Sequence, residues 1–506
     1  MLSLAELKRS MERLQSEDTP LLAHILVFLS ALTIRNTVEA ASTKLPLAQL
    51  AEAWGHYYLS YISLALVLVA LGHLALRESP QKTARLVLPF FFCLLIAPCV
   101  DLMITRGAGA PINYIYAPDP VPLLRRLLLF FGPPMKSGVT TGMRIEIAGV
   151  LCLAFIVLRV KGGSWVRCIT STVLLYMVIF CYVATPYFVE KALRGVVPHY
   201  SFSLKHVDYA YLLISYLLLG FLAWREDSAG FRAVWTNIRP FRLAHYELMF
   251  VLGFSIAGFR WRDLIAGAKF VEGLLLCVSI GYVWLFAVLS NDLEDEAIDR
   301  IANPGRPLSK GSLTRGKCAR WAGLCLGLAA ISAYAVHPVP MLLILGFAAN
   351  YTVYSVRPLR LKRIPVLSKL TISGNSLLLV VLGFMFAGHS PYEVPGAYVA
   401  FFLILATLAM NFIDLKDWLG DCQCGIKTLP VLFGMKRAQR VVAAFWLAAH
   451  LAFAMMVPTR WLAVAVCLAG VVQAVLLCRK KYSERPVFAV YLITLLLVIV
   501  VMHGAS

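Results

Sequence analysis

Apolar runs long enough to cross a bilayer recur along this chain from residue 20 to residue 504, separated by short polar connections. In hydrocarbon such a run of about 20 residues has to be helical, because only a helix satisfies every backbone N–H and C=O within one segment. No water-soluble fold of this size could hide the side chains involved. Of the 506 residues 60% are hydrophobic and 15% charged, and the mean hydropathy is +0.76. The expectation is an all-α, polytopic membrane protein, integral and multi-pass. Its first residues, MLSLAELKRSMERLQSEDTP, are amphipathic and charged. They lack the layout of a cleavable signal and are expected to stay attached in the cytoplasm.

The formal charge of +20, from 47 basic and 27 acidic residues, would suit a nucleic-acid binder if it were concentrated. Here the basic residues are dispersed among short loops, as the positive-inside rule requires of a multispanning chain. No nucleic-acid partner is expected. Most of the twelve cysteines, among them Cys93, Cys99, Cys152, Cys277, Cys325 and Cys467, lie in apolar runs. There a free cysteine behaves as a small hydrophobe. Cys422 and Cys424 stand as a CQC pair beside an acidic cluster, but a structural zinc site needs more soft ligands than two.

Six spans fill residues 1–224, at roughly 20–37, 56–76, 85–103, 143–160, 170–188 and 205–224. The connections RESPQKTAR and RVKGGSWVR follow the second and fourth spans, which puts both on the cytoplasmic side together with the N-terminus. Residues 104–141 then face the other side. They contain GAGAP, PDPVP and FFGPP around a short LLRRLLLFF suited to lying along the interface. Arg144, Glu146 and Asp208 sit within or at the ends of spans, where such groups are usually paired or reach the surface. Residues 225–243 form the expected linker. Nine further spans follow in 244–506, near 244–261, 270–290, 318–336, 338–356, 370–387, 394–413, 438–456, 461–478 and 487–504. Counted from an inside start, loops 291–317, 357–369, 414–437 and 479–485 all face the cytoplasm.

Two of those loops open on dense acidic clusters. In NDLEDEAIDR, residues 291–300, Asp292, Asp295 and Asp299 follow i, i+3, i+7 spacing, so a helix continued past the hydrocarbon edge points all three one way. In DLKDWLGD the same spacing places Asp414, Asp417 and Asp421. An amide precedes each cluster, Asn291 and Asn411. Like charges at these separations destabilise a helix by about 0.2–0.5 kcal/mol a pair, and more beside a low-dielectric slab. Acidic loops are often plain solvated surface. A repeated spacing on one side of the membrane argues instead for hard cations, since magnesium commonly bridges one or two carboxylates to substrate phosphates.

Fixed cations complete a diphosphate site, with Arg or Lys taking the remaining phosphate oxygens. Arg306 and Lys310 follow the first cluster, Arg360 and Lys362 lie in SVRPLRLKRIPVLSK, Lys427 follows the second cluster, and Arg239 stands at the mouth of the seventh span. Arg306 and Lys362 rank ahead of Arg357 and Arg363, which read as topology markers. Asn350 and Asn375 are polar-pocket candidates, with helix–helix hydrogen bonding as the competing explanation. Tyr282, Trp284, Tyr351 and Tyr354 could present ring faces to a carbocation, although interfacial aromatics more often anchor a span.

NDLEDEAID resembles the NDxxDxxxD signature of the UbiA superfamily of intramembrane prenyltransferases. The following IANPGRP is similar to its INxPxRP element, and DWLGD to its second aspartate motif. DLKDWLGDCQCGIKTLPVLFG and YSVRPLRLKRIP also look like family stretches, in the expected order, and the resemblance covers about residues 235–506. It implies a UbiA-type nine-helix bundle, here preceded by about six further helices. It also implies Mg2+-dependent transfer of a prenyl group from an allylic isoprenyl diphosphate to a lipophilic acceptor, with the site opening to the cytoplasm. Carried over, Asn291, Asp292, Asp295 and Asp299 fall in the first motif and Asp417 and Asp421 in the second, with Asp414 an additional acid. Of these, Asp292, Asp295, Asp299, Asp417 and Asp421 are the expected ligands of two Mg2+ ions. Glu294 and Glu296 depart from the pattern, in which aromatic or apolar residues are common.

An aromatic acceptor is the favoured expectation, with a terpene cyclase or a carotenoid- or lipid-modifying enzyme as alternatives. A secondary transporter is the alternative from another class. Transporters hold their coupling sites near the midplane, whereas these carboxylates lie beyond span ends. The first six spans show no nucleophile triad, zinc motif or paired acidic cluster, and His24, His56, His73 and His199 are scattered. A scaffold, a unit docking lipid or a membrane partner, and a second enzyme all remain open for them.

Overall fold

The computed structural model describes all residues except 1–3, 44–45, 111–113, 118, 120, 133–138, 198–199, 266–268, 424 and 505–506. Cys424, His199 and parts of GAGAP, PDPVP and FFGPP therefore lie outside the described residues. Among those described, every regular element is helical. Eleven helices among the described residues are long and apolar enough to cross a membrane by length and composition, which makes this an integral, multi-pass membrane protein. Fifteen crossings were expected. Helices occupy the other four positions too, at Thr141–Val160, Pro240–Ile256, Pro338–Ser355 and Met435–Ala454, but these are shorter or more polar. The last, for instance, begins MKRAQR.

The chain folds as two compact units, Met1–Ser228 and Ala229–Ser506. The stretch 225–243, expected as linker, carries a nine-residue helix, Ser228–Thr236, and the start of the next at Pro240. In the first unit several charged groups within spans find polar partners, although the buried Asn36 amide has none among the described residues. Arg35 donates to Glu39 at 2.8 Å, and Glu146 accepts from the Ala97 backbone N–H at 3.0 Å. Asp208 meets His56 at 2.5 Å, and Arg144 donates to the carbonyls of Phe130 and Gly132 at 2.6 and 2.9 Å. Within 104–141 the helix Leu123–Leu128 forms where LLRRLLLFF stands.

In the second unit the Pro240–Ile256 and Pro365–Phe386 helices touch backbone to backbone. A Cβ on Gly253 would stand 2.0 Å from the Val380 carbonyl oxygen, and one on Gly383 would stand 1.9 Å from that of Phe250. Small residues permit this approach, which gains dispersion contacts where no hydrophobic force acts between helices. Gly383→Ala is expected to push the pair apart and cost about 1–3 kcal/mol, read as a lower unfolding midpoint in detergent. An unchanged midpoint would contradict that packing.

The helix Lys269–Ala302, 34 residues long, runs past its apolar part and carries the whole first acidic cluster on regular turns. The second cluster does not share this geometry. Its span, Gly396–Leu415, passes through a π-helical turn at Phe401–Ala406 and a 3-10 stretch at Met410–Leu415. The Ser373 hydroxyl donates to the Phe402 carbonyl at 2.5 Å, beside that π turn. A separate short helix, Trp418–Gln423, follows. Matched carboxylate faces on two continuous helices were expected; only the first cluster has one.

Candidate active site

Both clusters nonetheless line one cavity of about 490 Å³ within the second unit. Asn291, Asp295 and Asp299 come from the long helix; Asp414, Asp417 and Asp421 come from the broken one. The departure from regular helix leaves the turn intact, because the Asp417 N–H donates to the Asp414 carbonyl and the Asp421 N–H to that of Asp417, at 3.1 and 2.9 Å. Asp421, crowded by burial and by Asp414 and Asp417, has its carboxyl pushed up to about 7, and burial also raises that of Asp417. Two carboxyls so disposed gain most from a bound cation.

On the opposite wall the carboxylates already hold cations. Asp292, only 2% exposed, does not line the cavity. It accepts from the Asn237 amide at 2.7 Å, from Arg239 at 2.8 Å and from Arg306 at 3.1 Å. Arg306 also bonds Asp299 and so bridges the two acids. Asp295 accepts from Arg360 at 2.8 Å and from Lys362 at 2.5 Å, while the Asn291 side-chain amide oxygen accepts from Ser355 at 3.1 Å and from Lys362 at 3.4 Å. Burial lowers the Lys362 ammonium from its ordinary value. Arg239, Arg306 and Lys362 all face the cavity, as does Lys369, which donates to Asp414 at 2.5 Å.

Tyr354 lines the cavity with Tyr351 and Trp284, whereas Tyr282 packs in the apolar core instead. Five expected substrate-binding residues are not brought there. Lys310 and Lys427 are exposed, outside the lining. Asn350 donates to Asn375 at 3.0 Å, and Asn375 to the Phe347 carbonyl at 3.4 Å, so helix–helix hydrogen bonding accounts for both amides. Arg360 is buried beside Asp295 without lining the cavity. Sequence reasoning missed Asn237, Lys369, Lys416, Glu484 and Arg485. Lys369 had a usable signal, a lone cation in the first turn of an apolar helix. Lys416 and Arg242 both pair with Glu484, the Arg242 contact at 3.2 Å, tying the second cluster to the start of the last helix.

Below the polar cavity a narrow void of about 30 Å³ is lined by Arg242, Tyr351 and Phe488, which also line the polar cavity, and by His245, Trp446 and Tyr491. The last three also line an apolar void of about 80 Å³ among Phe401, Phe453 and Val498. A charged chamber thus leads by shared walls to a greasy one.

No three His, Cys, Asp or Glu side chains among the described residues converge to hold a metal ion by themselves. Magnesium does not need three: it keeps waters and shares its octahedron between one or two carboxylates and phosphate oxygens. The hard-oxygen donors facing this cavity fit that ion and suit no soft one.

Residues 248–501 match the model of the UbiA prenyltransferase family. The chain is 30% identical over 254 residues to digeranylgeranylglyceryl phosphate synthase of Halobacterium salinarum, covering 48% of this chain and 84% of that protein. To homogentisate phytyltransferase of Synechocystis sp. it is 33% identical over 205 residues, covering 37% of this chain and 63% of that protein. Among solved structures, a UbiA homolog from Archaeoglobus fulgidus bound to GPP and Mg2+ aligns with 54% of this chain and 98% of its own, at 20% identity and a TM-score of 0.45.

Proposed function

This chain belongs to the UbiA prenyltransferase family, and we propose that its carboxylate-lined cavity moves a prenyl group from an allylic isoprenyl diphosphate to a lipophilic acceptor, at the cytoplasmic face. The observation carrying this reading is the meeting of two acidic clusters and four fixed cations over one chamber that leads into apolar space. Arg239, Arg306, Lys362 and Lys369, held ready by Asp292, Asp299, Asp295 and Asp414, turn to the diphosphate oxygens and take up the charge that grows as the C–O bond breaks. Two Mg2+ ions, one held by Asp295 and Asp299 and one by Asp417 and Asp421, would supply further Lewis-acid stabilisation of that charge. Asp292, expected among the metal ligands, is read instead as a positioning residue: it is buried outside the lining and bonds Arg239 and Arg306.

The electron pair leaves with the diphosphate, and the remaining prenyl cation must be kept from water. The Tyr351, Trp284 and Phe488 rings at the chamber floor offer negative faces and exclude solvent there. The acceptor's nucleophilic atom then forms the new C–C or C–O bond and gives up a proton.

For the acceptor we propose an aromatic ring, which the Trp284, Tyr351 and Phe488 rings lining the chamber can hold by stacking. A lipid hydroxyl is the second reading, favoured by the relative of which this chain covers 84%. Incubation of the purified protein with Mg2+, a geranylgeranyl diphosphate donor and each acceptor class, followed by mass analysis, separates them. An adduct with a phenolic acceptor supports the first reading. An adduct with a prenylated glycerol phosphate alone replaces it, and a prenyl hydrocarbon without acceptor would mean cyclase chemistry.

A further inference from the structure

The first unit, which the family model's match does not reach, contains a cavity of about 500 Å³ among its own residues. It follows the Leu47–Leu76 helix from Ser60 to Arg77, about 25 Å at 1.5 Å per residue, most of the hydrocarbon thickness of a bilayer. Its middle is walled by side chains such as Leu71, Phe91 and Val150. The two ends differ. Arg77 and Arg167 line one; Ser60, Tyr61, Tyr114, Glu146 and Tyr182 line the other, with no basic side chain among them.

That second end is a built polar site inside apolar helices. The His56 ring joins Asp208 through Nδ1 at 2.5 Å and the Tyr114 hydroxyl through Nε2 at 2.7 Å. His56 is 2% exposed. Asp208 accepts from Nδ1, so Nε2 accepts from Tyr114, whose phenol oxygen also meets Ser60 and Tyr211. Glu146, 7% exposed, is an acceptor on the same wall, held by the Ala97 N–H. Tyr182 is tied to Ser63 at 2.7 Å. Intramembrane ionisable groups cost several kcal/mol to bury and mark function by default. Here Glu146 presents an acceptor to an elongated apolar space. A phosphate head would meet the Glu146 carboxylate, and the nearby Arg35, over the Tyr61 ring, is already paired with Glu39, whereas a hydroxyl head can donate to Glu146.

We propose that the first unit is a lipid-binding module for a long-chain alcohol, isoprenoid or aliphatic, whose hydroxyl donates to Glu146 and whose chain lies along the Leu71, Phe91 and Val150 walls. The full-length protein in detergent, labelled by light with a diazirine-bearing hexadecanol, is expected to cross-link within 60–77 or 141–183. Unlabelled geranylgeraniol should compete and phosphatidylglycerol should not. Glu146→Gln is expected to weaken labelling about tenfold, the loss of one hydrogen bond to a charged group. Val150→Trp, which fills the cavity, should remove it.

Equal competition by phosphatidylglycerol would show a groove for any bilayer lipid and overturn the proposal, as would wild-type labelling in a monodisperse Glu146→Gln protein. If that variant fails to fold, the wild-type competition and Val150→Trp decide the matter.

Discussion

Asp417→Ala is expected to lower prenyl transfer by about 10³-fold while leaving the protein folded and in the membrane. Asp417 faces the chamber, and burial already holds its carboxyl above the usual range. Removing it relieves repulsion with Asp414 and Asp421, so stability should not fall. The loss should appear in kcat rather than in the unfolding midpoint, and excess Mg2+ should restore little of it, because Asp421 alone offers that ion one carboxylate in place of two. Asp421→Ala should behave alike. Wild-type turnover in either purified variant would remove the second cluster from the chemistry.

Arg306→Ala should be comparably damaging, for a different reason. Its guanidinium bridges Asp292 and Asp299, with the Asp292 bond at 3.1 Å, and it also faces the chamber. Truncation removes a diphosphate ligand, at about 10²–10³ in kcat. It also leaves Asp292, 2% exposed, with one cation fewer. Removing one partner of a buried pair costs about 3–5 kcal/mol, reduced here because Arg239 remains. Both turnover and the unfolding midpoint should therefore drop, unlike in Asp417→Ala. Arg306→Lys should recover part of the stability and little of the activity, since Nη1 alone bridges both acids and leaves the rest of the guanidinium for the diphosphate, which an ammonium lacks. Equal activity in Arg306→Lys and wild type would show that only its charge matters.

What was legible in the sequence follows the range of the interactions involved. Apolar runs and the spacing of Asp292, Asp295 and Asp299 are local, and the long helix preserves its period past the hydrocarbon edge. The spacing of Asp414, Asp417 and Asp421 suggested the same helix, yet π and 3-10 turns precede it. The hydrogen bond from Ser373, on another helix, is a tertiary influence that no local pattern contains. Lys310 and Arg306 are four residues apart and equally basic; only the course of the loop sends Arg306 into the chamber. Asn237 and Lys369 meet their carboxylates over 55 and 45 residues, so their roles emerge only from packing. In the first unit Glu146 and Asp208 were visible as intramembrane acids, and their partners Ala97 and His56 were not.

Titration with a non-hydrolysable geranylgeranyl thiodiphosphate, with and without Mg2+, in the wild type, Asp295→Ala and Asp417→Ala, tests the shared chamber most directly. One analogue per chain should bind only with Mg2+, and each substitution alone should weaken it by at least about tenfold. Wild-type affinity in either variant, or two independent analogues per chain, would mean that the clusters serve separate ends.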